Sequence, residues 1–501
     1  MYTKNIKFAA LAFVLILSSC SQLLDIDEEG QISGDVLVDT ESIEQALVGA
    51  YYNLGGTNDG NTGGQLFGGD FILIPTLLSK NNGTEYIWSS SQATDYLVFT
   101  ERDGNANVKI IATNARVQQN WVRAYETINL CNSILANINN VTDASARERI
   151  EGEALAIRSV LYFEMVRLWG PDISIGATAP AIPLIAEPFE DINKIETPTL
   201  ATVSQVYDQI FTDLTEASTL LESAGRNGTS INYYACQTYL ARLSMHRGDF
   251  GAAKDYADNV LDAGPFSLVS EPYLAYNNAI NSTEDVYAIQ QSLANNSGDR
   301  TSGTGIVSFM SSLTESGIGQ FAIIASSLNS TFLANTPVFN IGDLRAGVLS
   351  GADRNTTAAQ LQNALYYPNL VNLDPSILSS AKFTGSQNVI PVIRLAELYL
   401  IRAEALYETT GVTQQAVNDL NELRTRAGIA AVDLTDFSAS ADIFLDSIKL
   451  ESKREFIFEG HLLHNLRRWG DIVGSSFDSE DPLDNKFLFD IPQSERDTWT
   501  D

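Results

Sequence analysis

Basic residues, cysteine and histidine are all scarce in this chain of 501 residues, and each scarcity narrows what the protein does. Lysine and arginine number 31 against 62 aspartates and glutamates, a formal charge of −31. No basic cluster offsets that balance, which argues against nucleic acid or anionic lipid head groups as partners held by charge. Of three cysteines, Cys131 and Cys236 stand far apart inside helical patterns with no C-x-x-C or Cys/His spacing. They read either as one disulfide in an oxidising compartment or as two small core residues, the second being favoured. His461 and His464 share a helix three residues apart with Glu459 near, but a zinc motif of the H-E-x-x-H kind needs a spacing of four and the Glu directly after the first His. His246 has no evident nucleophile partner and no G-x-S-x-G elbow occurs. Paired carboxylates for glycoside hydrolysis arise by chance among 62 acidic residues, and nothing selects one pair. The reading is of a protein that is not an enzyme, with no metal and no cofactor.

What the chain does contain is enough apolar material, 44% of residues, for a large core in one big or two intimately packed domains. Its neutral polar surplus of Ser, Thr, Asn and Gly suits an extracellular surface that meets hydroxyl-rich ligands. Lys4 and Lys7 precede an apolar run from Phe8 to Leu17, too short to span a bilayer and shaped like a signal-peptide core. Its end, Leu17-Ser18-Ser19-Cys20, resembles a bacterial lipobox. Residues 1–19 are therefore read as a signal peptide, Cys20 as the lipidated N-terminus, and 20–40 as an acidic tether.

Helical periodicity organises most of the remainder. Ile393, Ala396, Leu400, Ala403 and Tyr407, then Ala416, Leu420, Leu423 and Ala427, describe two helices broken at Gly411. Their alanines allow the close approach of a tetratricopeptide-like (TPR-like) hairpin, and Gly428 sits where a helix end favours positive φ. Further helices are predicted over 41–54, with Thr40 as N-cap, and over 120–138, 146–169 and 203–221. Another hairpin spans 231–263, turning at His246 to Phe250. Trp121, Trp169 and Trp469 fall in or at the end of periodic helices and read as core. The fold class is mostly α: a TPR-like helical-hairpin scaffold with an irregular, loop-rich second lobe. The boundaries are 41–265 for the N-terminal region, 266–390 for the lobe and 391–501 for the C-terminal pair and tail.

Candidate ligand residues lie where aromatics leave the helical period. Tyr86, Trp88 and Tyr96 stand among Asn, Ser, Thr and Asp, with Asp70 at the head of the same segment as a hydroxyl acceptor. A sugar ring has an apolar C–H face and a polar rim, so its receptors combine flat aromatics with hydrogen-bonding side chains. In the second lobe Phe309 and Arg345 are the further candidates, with Phe321 and Tyr366 behind them.

Three stretches carry a resemblance. GEALAIRSVLYFEMVRLWG (residues 152–170, with Gly152, Glu153, Arg158, Tyr162, Phe163 and Trp169), RLAELYLIRAEAL followed by LNELRTRAGI, and the run EFIFEGH with LRRWGD together resemble the SusD/RagB family of surface glycan-binding lipoproteins. The ending NKFLFDIPQSERD fits the same pattern. Asn465 and His464 depart from it, and the Asn removes a carboxylate that would pair with Arg467 or Arg468. The resemblance implies an outer-membrane, cell-surface lipoprotein that binds an oligosaccharide or polysaccharide and passes it to a SusC-like TonB-dependent transporter. A helical-repeat adaptor for peptides or proteins and an α-helical glycoside hydrolase are the rival readings.

Overall fold

The computed structural model describes residues 36–55, 64–79, 84–86, 112–188, 198–222, 228–290, 306–311, 321–324, 343–346, 365–368, 377–384, 389–470 and 488–499. In chain order the helices are α1 (Thr40–Leu54), α2 (Asp70–Leu78), α3 (Ala115–Ala136), α4 (Ala144–Trp169), α5 (Ile173–Gly176), α6 (Val203–Leu221) and α7 (Tyr233–Arg247). They continue with α8 (Phe250–Leu261), α9 (Ile306–Met310), α10 (Leu395–Thr410), α11 (Gln414–Arg426), α12 (Asp442–Glu455), α13 (His461–Arg468) and α14 (Gln493–Thr498). Among the described residues the strands are β1 (Thr84–Tyr86), β2 (Pro180–Pro183), β3 (Leu200–Thr202), β4 (Asp285–Gln290), β5 (Phe321–Ile324), β6 (Tyr366–Pro368), β7 (Ile377–Ser380) and β8 (Val389–Arg394).

Local chemistry starts and stops these helices. Asn114, Asp143, Thr202, Asn232, Asp249 and Thr413 each accept a hydrogen bond from a backbone N–H in the first turn of the helix that follows, which satisfies donors a helix leaves unpaired. At α1 the cap is Asp39 rather than Thr40, because Asp39 and Ser42 form a reciprocal capping box. Between α7 and α8 the chain turns in two residues. Gly248 takes φ +72°, closing α7, and Asp249 caps α8 at once.

The helices stack in sequence order: α3 on α4, α4 on α6, α6 on α7, α7 on α8, α8 on α10 and α10 on α11. This is a mostly helical, TPR-like scaffold around a main apolar core, in which Leu161, Phe163, Tyr207, Ile210 and Tyr239 are buried, and a smaller apolar cluster in which Leu400, Ala403, Leu420, Leu423 and Phe444 join α10, α11 and α12. Gly152 makes the α4–α6 contact tight, since a Cβ there would lie 2.8 Å from Leu221 Cγ. Cys131 and Cys236 are buried free thiols within this core. Burial pushes both up to about 12. They are therefore core residues, not a disulfide.

Two corrections concern the C-terminal half. Residues 389–394 form a strand, antiparallel to β4 with Asp285 opposite Arg394 and Tyr287 opposite Ile393. The run from Val389 to Ile393 is continuously apolar and buried on both faces, and such a run has no period that separates strand from helix. Trp469 is only half buried. Its indole Nε1 donates to Glu404 at 2.9 Å, so it seals the rim of the scaffold. Trp121 and Trp169 are core, with ring centroids 5.4 Å apart. The ending docks on the second of these, where Phe489 meets the Trp169 ring edge-on at 4.8 Å.

Candidate ligand-binding face and the charged seam behind it

The chain leaves the scaffold at β4 and returns at β8, and between them lies the second lobe. Its organising element is a four-stranded antiparallel sheet in the order β1-β5-β7-β6. β1 comes from the N-terminal region, so the sheet joins the aromatic segment read from sequence to the lobe. Tyr86 is register-paired with Phe321, and Tyr366 and Tyr367 lie opposite Ser380 and Ser379 on the far side. Tyr86, Phe321 and Tyr366 thus belong to one sheet. Trp88, Tyr96 and Cys20, the lipidation site expected from sequence, lie outside the described residues.

Asp70 does not face a ligand. It is fully buried at the start of α2, where Arg116 Nη2 donates to its Oδ2 at 2.7 Å and Asn120 Nδ2 at 2.6 Å. Asn120 also accepts from the Leu66 N–H at 2.8 Å. A buried carboxylate without such donors would be costly, so Asp70 is a structural anchor that pins α2 to α3. Phe309 is likewise buried completely. Arg345 is the third correction. It is 1% exposed, with Nη1 donating to Glu451 at 2.6 Å and to Glu455 at 3.2 Å while Nε reaches Asp343 at 3.1 Å. Its guanidinium is spent on the protein's own carboxylates.

Arg345 is one member of a charged seam that sequence reasoning missed. Arg394, at the end of β8, donates to Glu284 at 3.0 Å, Glu455 at 2.9 Å and Glu459 at 2.9 Å. Arg426 of α11 pairs with Glu284 and, at 2.6 Å, with Glu455. Lys382 of the lobe donates to Glu459 at 2.7 Å and to the Glu455 carbonyl at 2.8 Å, and Tyr276 Oη adds a bond to Glu459 at 2.7 Å. Burial would raise these carboxyls, but Arg426, Arg394 and Arg345 hold Glu455 well below its usual range, and Arg394 with Lys382 holds Glu459 down to about 2. Glu455 and Glu459 therefore stay ionised at neutral pH. The one signal available in sequence was the spacing Glu451, Glu455, Glu459, three carboxylates four residues apart.

The motif residues of α4 have comparable partners. Glu153 accepts from Tyr51 Oη at 2.7 Å, while Arg158 donates to Asp213 at 2.8 Å and Asn132 at 2.9 Å. Arg468 finds its carboxylate in Glu404 of α10, at 2.8 Å from Nη2, and the same Nη2 reaches Asn465 Oδ1 at 3.4 Å. Gly460 brings α13 down onto α2, where a Cβ would lie 2.9 Å from the Phe71 carbonyl.

A stack of antiparallel helix pairs that carries an inserted lobe, clamped through buried ion pairs, defines a helical-repeat scaffold protein. Residues 276–499 match the SusD family model, and residues 74–245 match the model described as starch-binding associating with outer membrane. The chain belongs to the SusD/RagB family. Among its relatives, SusD-like protein P2 of Formosa agariphila is 24% identical over 393 residues, covering 72% of each chain. A SusD-like protein of Bacteroides ovatus is also 24% identical, over 72% of this chain and 67% of its own length. The crystal structure of a SusD superfamily protein from Bacteroides thetaiotaomicron superposes with TM-score 0.71 at 22% identity, covering 92% of this chain and 98% of the other. A SusD-like carbohydrate binding protein from Bacteroides vulgatus superposes with TM-score 0.65 at 21% identity, covering 86% and 83%. At these identities the structural likeness speaks for the fold.

Proposed function

We propose that this protein is a lipid-anchored, cell-surface protein of the outer membrane that captures an oligosaccharide or polysaccharide and delivers it to a SusC-like TonB-dependent transporter. The observation that carries the reading is the pairing of β1 with β5, which sets the strand leading into the Trp88 and Tyr96 segment on the sheet of the second lobe. Support also comes from the family model whose description names starch binding and the outer membrane. Tyr86, Trp88 and Tyr96 remain the proposed ligand contacts, with Phe321 and Tyr366 on the same sheet in place of Phe309, Arg345 and Asp70. Catalysis forms no part of this role: incubation with a bound oligosaccharide should release no new reducing ends.

Calorimetry against the cognate oligosaccharide tests the site. Removing a stacked aromatic costs about 2 kcal/mol, so Trp88→Ala should weaken binding roughly thirty-fold with its melting temperature unchanged. Unchanged affinity in a folded Trp88→Ala protein would rule the platform out. Anchoring is tested by fractionation, where Cys20→Ala should move the protein to the soluble fraction in cells lacking the transporter. The transporter should be recovered with the chain in a pull-down from detergent extract.

A further inference from the structure

All three histidines of the chain line one cavity. It has a volume of about 50 Å³ and lies between α4, α7, α10, α12 and α13. One water needs roughly 10–15 Å³ of such space, so there is room for about three or four waters, or for one molecule of similar bulk. In its wall His464 and Ser452 are 4% and 6% exposed, whereas Asn465, Arg468 and Trp469 are half-buried and form the edge that meets solvent. Tyr86, Phe321 and Tyr366 do not line it, so the cavity is separate from the proposed ligand sheet.

Charge in the lining is already balanced. Arg242 donates to Glu397 at 2.6 Å, Arg468 donates to Glu404 at 2.8 Å, Arg167 pairs with Glu164, and His246 lies 3.2 Å from Asp172. A charged ligand would lose its hydration here and gain no counter-charge. The polar groups left over are neutral. Among the described residues neither ring nitrogen of His464 has a hydrogen-bond partner, and Ser452 Oγ and Asn465 Nδ2 have none either. Burial holds the His464 ring well below its usual range, so it is uncharged at pH 7. A neutral imidazole offers one donor and one acceptor, a serine hydroxyl offers both, and an amide nitrogen donates. That set matches hydroxyl groups, which donate and accept in turn. The rest of the wall includes Leu400, Ile401, Ile448 and Phe456. Water meets the polar groups and leaves this apolar wall wet. A short carbon chain that bears hydroxyls answers both.

We propose that this cavity binds a small neutral polyol, its hydroxyls held by His464, Ser452 and Asn465 and its carbon chain against Ile401, Ile448 and Phe456. Glycerol is the probe. Crystals of the unaltered chain, grown without polyol and then soaked in glycerol, should show it with hydroxyls within hydrogen-bonding distance of the His464 ring and of Ser452. In solution, saturation-transfer NMR at millimolar glycerol should show saturable binding. Ser452→Ala removes one neutral hydrogen bond and should weaken that binding about five-fold. Glycerate, of similar size but carrying a carboxylate, should not compete. Density for separate waters only after soaking overturns the proposal, as do competition by glycerate and equal affinity in Ser452→Ala. Glycerol seen in the crystal without saturable binding in solution is binding at crystal concentration only, and overturns it too. The soak and the glycerate competition use the unaltered chain, so they decide the matter even if the variant fails to fold.

Discussion

Two parts of this molecule are equally dry and are held together by opposite means. Along α4 the buried face is Ile157, Val160, Leu161, Phe163 and Val166, packed on Ile210, Leu214 and Tyr239 of the next helices. Around Glu455 the buried groups are Arg345, Arg394, Arg426, Lys382, Glu284, Glu451 and Glu459. The apolar layers draw on area, a force without direction. The seam must overcome the desolvation of every ion in it and returns stability only if geometry is right. Helices with an apolar stripe have many contacts to fix their place, whereas the described residues of the lobe form short strands and short helices. A directional clamp from Lys382, Arg345 and Arg394 suits a lobe that must sit in one position against the scaffold.

The comparison breaks most sharply at Arg394. Replacing it with Met strands Glu284, Glu455 and Glu459 without their shared cation, and removing one partner of a buried ion pair costs about 3–5 kcal/mol. Denaturant titration at pH 7 should show that loss. Acid then narrows the gap, because the stranded carboxyls protonate first. In the unaltered protein Glu459 titrates at about 2 against an ordinary 4.5, so the folded state favours its ionised form. That contribution is present above pH 4.5 and lost as pH falls towards 2. His461, pushed down to about 4 from 6.5 chiefly by burial, acts in the same direction: its contribution declines as pH falls from 6.5 to 4. The seam should therefore make the protein acid-labile across this window. Leu161→Ala, in the apolar layers, should cost about 3 kcal/mol, within the range for buried leucine truncations, by the same amount at pH 5 as at pH 8. A pH-dependent Leu161 variant, or a pH-independent Arg394 variant, would erase the distinction.

The apolar half of the comparison was legible in the sequence, and the ionic half was not. α6 has the bounds its period predicts, Val203–Leu221, and the turn at Gly248 and Asp249 announces itself by composition. Arg345 and Asp70 were misread because a lone charge in a loop or at a helix start looks the same whether solvated or buried. The difference lies in a partner that is remote in the chain, 106 residues on for Arg345 and Glu451, and 46 for Asp70 and Arg116. Spacing rules reach three or four residues and say nothing about such pairs. The strand from Val389 to Arg394 was hidden for another reason, since a short run buried on both faces has no alternation to read. Of the proposed ligand site, the aromatic composition was visible from the start. Its joining to Phe321 and Tyr366 through one sheet was not, because strand register is a non-local property.

Where the two systems meet, Gly460 sets the spacing. It follows Glu459, takes φ +79°, and brings α13 so close to α2 that a Cβ would stand 2.9 Å from the Phe71 carbonyl and 3.1 Å from Ile72 Cα. Gly460→Ala imposes both a left-handed conformation and a backbone contact that cannot yield as a side chain would. The cost should be about 1–3 kcal/mol, seen as a lower melting temperature. The Glu459 bonds to Arg394 and Lys382 should weaken with it, so the acid transition should shift to higher pH. A variant as stable as the parent would mean that α13 and α2 can separate without disturbing the seam.

The smallest effect belongs to an ion pair outside the seam. Arg149 of α4 bonds Glu44 of α1, with side chains 38% and 47% exposed. The same helices also share the bond from Tyr51 to buried Glu153, so the surface pair is not what joins them. Water screens exposed charges, and ordering two long side chains offsets most of the Coulomb gain, which leaves about 0.2–1 kcal/mol. Glu44→Ala, which leaves the contact of Arg149 with buried Glu153 in place, should therefore fall within that range and shrink further in 1 M salt, where the screening length is about 3 Å. Arg394→Met should lose several times more and respond little to salt, because solvent ions do not enter the seam. Denaturation of both variants in low and high salt makes the test. Equal, salt-sensitive losses would show that the seam is solvated and that burial does not separate the two kinds of pair.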